Sequence, residues 1–367
     1  MQRNLAAKIY YRACCFVLYF AAASASFSGY YDKWHFSEDG VPGEDDRFRF
    51  EMVMDGTAYR PYIYRQLLPA AANWIDRTLP RSFEVWLYNY QGGGPQARME
   101  AIFDSPTGEN PAYFFRYLMV YAATFLFALL AVYAMHLVCG AVGIGPPAAV
   151  LAPAIVILLV PYIESGGGFY YDYPELAFLA LAVWVALKFD WWWIVPVAAL
   201  GSWNKESFLL IVPTLYPLMR RRSSRLSAWV GVGVLCLVCA AVFSPIRMHF
   251  AHNPGGAMEV HWRDQLSYLL HPRDLLFATE KTYGVPMLKA FSLAPLALLA
   301  WTVARGWRHL PGAIQRHGQI AAAINAPLYL VFCSPGELRN LSMLYVVFLL
   351  VVAGNLSDWI GSTATSA

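Results

Sequence analysis

The chain has 367 residues, of which 58% are hydrophobic and 14% are charged. This composition excludes a disordered chain and an ordinary soluble domain, and it is typical of an integral membrane protein. A formal net charge of +3 is too small to indicate a nucleic-acid-binding surface. The six cysteines lie in or beside apolar runs, which favours free thiols over disulfides.

Apolar runs of membrane length recur along the sequence. A helix that crosses the hydrocarbon core needs about 20 residues, and runs without strand-like alternation predict helices and not a barrel. We therefore predict an all-α, polytopic protein that forms a single integral membrane domain over 1–367. The candidate transmembrane helices are 8–28, 113–137, 147–163, 175–189, 191–203, 207–219, 227–246, 287–305, 319–333 and 341–359. Because several runs are short, we expect about 8–10 transmembrane helices.

The charged flanks of these runs predict an orientation. The first run follows a basic N-terminus and ends in small residues, so it reads either as a cleaved signal peptide or, given its length, as a membrane anchor. Lys and Arg concentrate in short loops, most clearly at 220–222, and the positive-inside rule then places both termini in the cytoplasm. We predict a multi-pass protein of the cytoplasmic (inner) membrane, in which 29–112 forms a large exterior (periplasmic) loop.

The exterior loop contains a predicted amphipathic helix over 65–79. Its apolar residues at helical spacing are Leu67, Leu68, Ala71, Trp74 and Ile75. Such a pattern beside aromatic residues predicts a helix lying in the membrane interface. Arg65 stands near its start, where it either binds an anionic headgroup or phosphate or snorkels as a simple anchor.

Asp32 follows the first run directly, within the sequence GYYDKWHF. An acid at that position lies near the membrane surface, where burial under aromatic rings can adjust its pKa for general-base chemistry. The alternative is a solvated loop carboxylate beside Lys33. Asp32 is nevertheless the first candidate catalytic residue.

Further polar interruptions fall on the same predicted side as this loop. They carry the ionisable residues Asp172, Lys205, Glu206, Glu337 and Arg339. Ionisable residues held between spans generally face a cavity and pair with one another, which makes them functional candidates. Helix capping alone would explain the acid within ESGGGFYYDYPE, because Asp172 stands in the predicted N-cap position, Pro174 suits the first turn and Glu175 complements the helix dipole.

These features resemble the GT-C superfamily, which comprises polytopic membrane glycosyltransferases that use polyprenyl-phosphate sugars. The resemblance rests on the layout, on the acid after the first span, and on the motifs YRQLLP at 64–69, YDYPE at 171–175, NKE at 204–206 and ELRN at 337–340. It covers most of the chain in layout, but the motifs are short and specific to the superfamily at best. The adjacent acidic pair of many members is absent, because Lys33 follows Asp32.

The resemblance implies transfer of a hexosyl or pentosyl unit from a polyprenyl-phosphate donor to a lipid, glycan or protein acceptor on the exterior face. It implies Asp32 as the general base, with Asp172 and Glu206 orienting sugar hydroxyls or replacing it. The expected substrate-binding residues are Arg65, Tyr171, Lys205, Glu337 and Arg339, whose cations would hold the leaving phosphate. Membrane lipid and the donor are the expected partners. The pattern shows no cofactor, no nucleic-acid site and no mandatory metal, and a divalent ion stays compatible with it.

Two other classes fit the same residues. Intramembrane charges and the interrupted hairpin at 191–219 also suit a transporter or flippase for a lipid-linked or small polar substrate. Two features argue against a transporter. The other half of the chain has no second interrupted hairpin to match 191–219, and one large exterior loop is inconsistent with an inverted repeat. The third reading is a non-catalytic assembly partner whose acids form structural pairs. The sequence indicates neither the sugar nor the oligomeric state.

Overall fold

The computed structural model describes residues 2–37, 49–91, 103, 105–165, 167–256 and 258–364, and these residues are mostly helical. The helices are α1 (Gln2–Trp34), α2 (Phe50–Met54), α3 (Leu67–Thr78), α4 (Arg81–Gln91), α5 (Pro106–Glu109), α6 (Phe114–Val142), α7 (Pro146–Ile163), α8 (Asp172–Lys188), α9 (Val195–Asn204), α10 (Phe208–Ile211), α11 (Tyr216–Met219), α12 (Arg225–His249), α13 (Trp262–Leu270), α14 (Pro272–Phe277), α15 (Leu293–Trp307), α16 (Gly312–Phe332) and α17 (Tyr345–Ala364). Strands β1 (Thr279–Thr282) and β2 (Val285–Leu288) form a hairpin. Short 3-10 helices cover His35–Ser37, Tyr62–Tyr64, Trp191–Ile194, Val212–Leu215 and Leu338–Leu344.

Several helices of the molecule are suited to cross a membrane. Among the described residues, five are long and apolar enough, namely Ile9–Trp34, Phe114–Val142, Pro146–Ile163, Arg225–His249 and Leu338–Gly361. Large apolar side chains on them face outward, as at Leu126 and Leu237, which a hydrocarbon solvent accommodates. The prediction of a helical membrane protein is thereby confirmed. The other predicted crossings coincide with shorter or more polar helices and stay predictions.

Successive helices of the core, such as α6 and α7, are joined by short connections. Helix α6 ends where Gly143 adopts a left-handed φ of 85°, and its N–H bonds to the carbonyls of Cys139 and Gly140. Helix α7 then begins at Pro146, where a proline suits the first turn. α6 packs along α8, and α7 packs against both α1 and α17. Buried alanines such as Ala131 and Ala177 suit this close packing.

The structure corrects two predicted boundaries. Helix α1 continues to Trp34, so Asp32 and Lys33 lie on its last turn and not in a loop beginning at 29. The predicted span 287–305 begins too early, because helix α15 starts only at Leu293. The residues before it form β2, which pairs with β1 in antiparallel register around a turn at Tyr283 and Gly284, both with positive φ. The apolar residues of β2 were therefore assigned to the wrong element.

Helix α3 occupies most of the predicted amphipathic segment 65–79, beginning at Leu67 and ending at Thr78. Its expected apolar stripe is divided between two environments. Leu67 and Leu68 are buried in the protein core, whereas Ala71 is exposed and Trp74 is 68% exposed. The depth of this helix relative to a membrane stays a prediction.

Candidate functional site

A buried polar cluster lies where several helices end at the same side of the molecule. It is formed by the 164–171 connection between α7 and α8, the turn between α9 and α10, and the segment between α16 and α17. Side chains of these connections and of the first turn of α8 bond to one another and to Arg65, which precedes α3. We call this group the polar cluster. It contains Arg65, Tyr171, Asp172, Glu175, Lys205, Glu206, Glu337, Arg339 and Ser342.

Arg339 connects the last of these segments to the first. Its guanidinium lies 3.4 Å from Asp172 Oδ2 and 3.1 Å from Glu337 Oε1. Asp172 also accepts a 2.8 Å hydrogen bond from the Phe169 amide, so its carboxylate closes the turn before α8. Asp172 is the first residue of α8, and Tyr171 is the N-cap. The predicted N-cap position was therefore one residue too late.

Lys205 and Glu175 form the shortest ion pair of the polar cluster. Lys205 Nζ lies 2.7 Å from Glu175 Oε2, and both side chains are buried. The other oxygen, Glu175 Oε1, accepts hydrogen bonds from Ser342 at 2.8 Å and from Ser207 at 3.4 Å. A buried charge pair needs such additional bonds, because desolvation otherwise exceeds the Coulomb attraction.

Arg65 forms the most accessible part of the polar cluster together with Glu206. Its guanidinium donates to Tyr171 Oη at 2.7 Å and lies 3.4 Å from Glu206 Oε1. The Glu206 side chain remains 29% exposed, against 11% for Arg65. Solvent therefore reaches this cluster most easily beside Glu206.

Aromatic rings hold the two guanidinium groups. The rings of Phe169 and Tyr171 stack with centroids 5.1 Å apart. Arg339 lies over Phe169 at 4.5 Å, and Arg65 lies over Tyr171 at 4.6 Å. Gly167, two residues before Phe169, has a φ of 133°, a conformation that favours glycine, and so allows the aromatic turn.

Charge in the polar cluster is largely neutralised from within. Three cations, Arg65, Lys205 and Arg339, face the four carboxylates Asp172, Glu175, Glu206 and Glu337. Several buried atoms nevertheless lack a hydrogen-bond partner, and they are Arg65 Nε, Arg339 Nε, Asp172 Oδ1, Glu206 Oε2 and Glu164 Oε2. Buried polar atoms are normally paired, so these unpaired donors and acceptors are available to bind a ligand or water.

Glu164 is buried beside the polar cluster, at the end of α7, and only 2% of the residue is exposed. Burial, and then the negative charge of Asp172, raise the pKa of its carboxyl well above the usual range. The Glu164 carbonyl accepts hydrogen bonds from Lys33 at 2.8 Å and from the Trp34 indole at 2.9 Å. Burial therefore favours the neutral, protonated form of this carboxyl.

Lys33, and not Asp32, faces this polar region from α1. Its Nζ lies 2.9 Å from Glu280 Oε2 of strand β1, and Ser165 donates to the same oxygen at 3.1 Å. Asp32 is exposed, and its hydrogen-bond partner is Ser28 of its own helix at 3.1 Å. The first candidate catalytic residue thus lies outside the polar cluster.

The other seven predicted site residues lie in the polar cluster, and they are Arg65, Tyr171, Asp172, Lys205, Glu206, Glu337 and Arg339. Sequence reasoning missed Glu175, which it read only as a helix-dipole acid, as well as Ser342 and the pair of Lys33 with Glu280. The pairing of Glu175 with Lys205 had one available signal, since both residues interrupt apolar runs on the same predicted side. Within the described part of the chain, no group of three or more His, Cys, Asp or Glu side chains is arranged to hold a metal ion.

Comparison with protein-family models, with characterised proteins and with solved structures found no match to this chain. The function is therefore argued from the polar cluster itself.

Proposed function

We propose that this membrane protein is a glycosyltransferase that moves a sugar from a polyprenyl-phosphate-linked donor to a lipid, glycan or protein acceptor. The observation that carries the proposal is the set of unpaired buried atoms in the polar cluster. It includes carboxylate oxygens that can accept a proton and guanidinium N–H groups that can bind a phosphate. A GT-C-like arrangement of 8–10 spans, both termini in the cytoplasm and a periplasmic active face belong to the same proposal.

Glu206 is the general base in this proposal. Its side chain is 29% exposed, its Oε2 is buried without a hydrogen-bond partner, and its contact with Arg65 is long at 3.4 Å. Asp172 is less suitable, because Arg339 and the Phe169 amide already hold one of its oxygens. Asp32, the base that the resemblance implies, accepts a hydrogen bond from Ser28 of its own helix. Its variant is therefore compared with that of Glu206 in the experiment below.

The reaction follows from these positions. The acceptor hydroxyl gives its proton to Glu206 as its oxygen attacks the anomeric carbon, and the bond from that carbon to the phosphate oxygen breaks. A donor phosphodiester with one negative charge leaves as a phosphate monoester with two, so the leaving group gains charge as the carboxylate loses its own. Arg65 and Arg339 hold that charge, since guanidinium forks bind phosphate well. Donor phosphate on Arg65 would also release Glu206 from its ion pair.

The experiment is transfer of radiolabelled sugar from a polyprenyl-phosphate donor pool in membranes containing matched amounts of each variant. Glu206→Gln should lower transfer by about 10²–10⁴-fold, the usual contribution of a general base. Asp172→Asn should retain more activity than Glu206→Gln. Asp32→Asn should behave like the matched control Asp274→Asn, which removes an exposed carboxylate on α14.

Other outcomes would replace the proposal. Loss of transfer in Asp32→Asn alone would move the base to α1, as the resemblance implies. Wild-type membranes that transfer no sugar from several donors, but carry intact donor across a vesicle membrane, would establish a flippase. Transfer that is insensitive to all three acids would remove the polar cluster from the chemistry.

A further inference from the structure

A second polar feature lies at the opposite end of α16 from the polar cluster. It is a cavity of about 600 Å³ between the end of α11 and the first turns of α16. Its lining includes Tyr216, Arg220, Arg221, Gly312, Ala313 and Arg316. We call it the arginine cavity. Its volume is within the range of small-molecule binding pockets.

The arginine cavity has positive charge without an internal counterion. Arg220, Arg221 and Arg316 are exposed, and within the described ranges none forms an ion pair with a carboxylate. Arg220 instead donates to the carbonyl of Ser223 at 2.9 Å, which orients its guanidinium. Three guanidinium groups without a facing acid create a positive potential that attracts an anion.

The start of α16 adds to this potential. The amides of Ile314 and Gln315 bond to the Pro311 carbonyl at 2.9 Å and 3.0 Å. The two preceding amides, of Gly312 and Ala313, belong to the turn whose N–H groups have no intrahelical acceptor, and both residues line the cavity. The Gln315 side chain donates to the carbonyls of Trp307 and Leu310, each at 3.1 Å, so the segment before the helix is held in place.

We propose that the arginine cavity binds the phosphate group of an anionic membrane phospholipid. Three arginines lining one cavity beside a helix start are suited to recognise a phosphate ester. A lipid is the source because Tyr216 stacks on Trp229 with centroids 4.4 Å apart, and Trp229 is 53% exposed near the start of the apolar helix α12. Such amphipathic rings are typical of the headgroup layer. Under the predicted topology, this is the cytoplasmic leaflet.

The test measures retention of radiolabelled dioctanoyl phosphatidylglycerol by the full chain in an uncharged detergent. We expect saturable binding of about one lipid per chain. Removing one arginine should weaken binding about fivefold, and Arg220→Gln/Arg221→Gln/Arg316→Gln about 100-fold, at roughly 1 kcal/mol per basic residue. Arg222→Gln/Arg225→Gln is the matched control, because it removes two charges from the same basic run without changing the cavity lining and should retain affinity within about twofold.

Competitors identify the source of the phosphate. Unlabelled dioctanoyl phosphatidylglycerol should displace the label, whereas dioctanoyl phosphatidylcholine and inorganic phosphate at the same concentration should not. Displacement by inorganic phosphate at equal potency would overturn the lipid assignment in favour of a free-anion site. Equal losses in the cavity and control variants, or no saturable binding, would reduce the observation to general surface charge. Melting temperatures without lipid verify that the variants are folded.

Discussion

The polar cluster and the arginine cavity lie at opposite ends of the same 21-residue helix, α16, which is about 31 Å long. In the polar cluster, Lys205 and Arg339 are buried, Arg65 is 11% exposed, and each cation lies within 4.0 Å of a carboxylate. In the arginine cavity, cations are exposed and lack such a partner among the described residues. In this molecule burial, and not the presence of arginine, therefore decides whether a cation has a carboxylate partner.

Because their charges are arranged differently, the polar cluster and the arginine cavity suit different ligands. A neutralised cluster with unpaired atoms of both signs suits a ligand that carries hydroxyls as well as phosphate. A cavity of unpaired cations suits a bare anionic headgroup. Variants that remove one partner from a buried pair, a buried carboxyl or an exposed pair measure how far burial controls this contrast.

The largest effect should follow Glu175→Gln, which leaves Lys205 buried without its carboxylate. We expect stability to fall by about 3–5 kcal/mol, the usual result of removing one partner of a buried ion pair. The measurement is SDS titration of the detergent-solubilised chain, followed by circular dichroism. The double variant Glu175→Gln/Lys205→Met should recover much of the loss. A loss below about 1 kcal/mol would mean that water already reaches Lys205.

A smaller effect should follow Glu164→Gln, and it should depend on pH. Burial raises the pKa of Glu164, so the folded state keeps a proton that the unfolded chain loses at its ordinary pKa. The resulting stabilisation is complete below the unfolded pKa and is lost as the pH rises towards the folded pKa, by about 1.4 kcal/mol per pKa unit of separation. Wild-type stability should therefore fall relative to Glu164→Gln over the pH range that begins near pH 5 and extends up to the folded pKa.

The same SDS titration, repeated across that pH range, checks this prediction. Asp274→Asn is the control, because its carboxylate is exposed and its removal should leave the pH dependence of the wild type in place. Parallel curves for the wild type and Glu164→Gln would show that Glu164 is ionised in the folded state.

The smallest effect should follow Arg305→Gln. Arg305 lies 3.3 Å from Asp358, and both side chains are 42% exposed. We expect a change within about 0.5 kcal/mol that disappears in 0.5 M salt, because exposed ion pairs are screened and contribute little. Thermal unfolding at two salt concentrations provides the measurement. A loss comparable to that of Glu175→Gln would break the contrast between buried and exposed charges.

The sequence was sufficient to predict the membrane class. Long apolar runs have one interpretation, since backbone in lipid must bond to itself, and five of the described helices meet that standard. Most of the candidate site was also identified, because ionisable residues that interrupt apolar runs are rare enough to stand out. Their individual pairings were not predicted, since Glu175 and Lys205 are 30 residues apart and meet only through helix packing.

The wrong placement of Asp32 in a loop has a geometric cause. Neighbouring residues on a helix point about 100° apart, so ending the first span six residues early removed the information about which side chain faces inward. With α1 extended to Trp34, Lys33 faces Glu280 and Asp32 faces outward. The β1–β2 hairpin was missed because its apolar residues adjoin those of α15, and composition alone does not separate a short strand from a helix start.

The lack of a side chain at Gly29 helps to fix the position of Glu280. The ring of Tyr283, at the tip of the β1–β2 hairpin, occupies the space that a Cβ at Gly29 would fill. From there its hydroxyl reaches the Leu158 carbonyl at 2.8 Å, which fastens the hairpin to α7. A single methyl group on α1 would push out this ring, and the strand that carries Glu280 would move with it. The absence of a side chain at Gly29 of α1 therefore helps to set the position of the Glu280 carboxylate, which lies three residues before Tyr283.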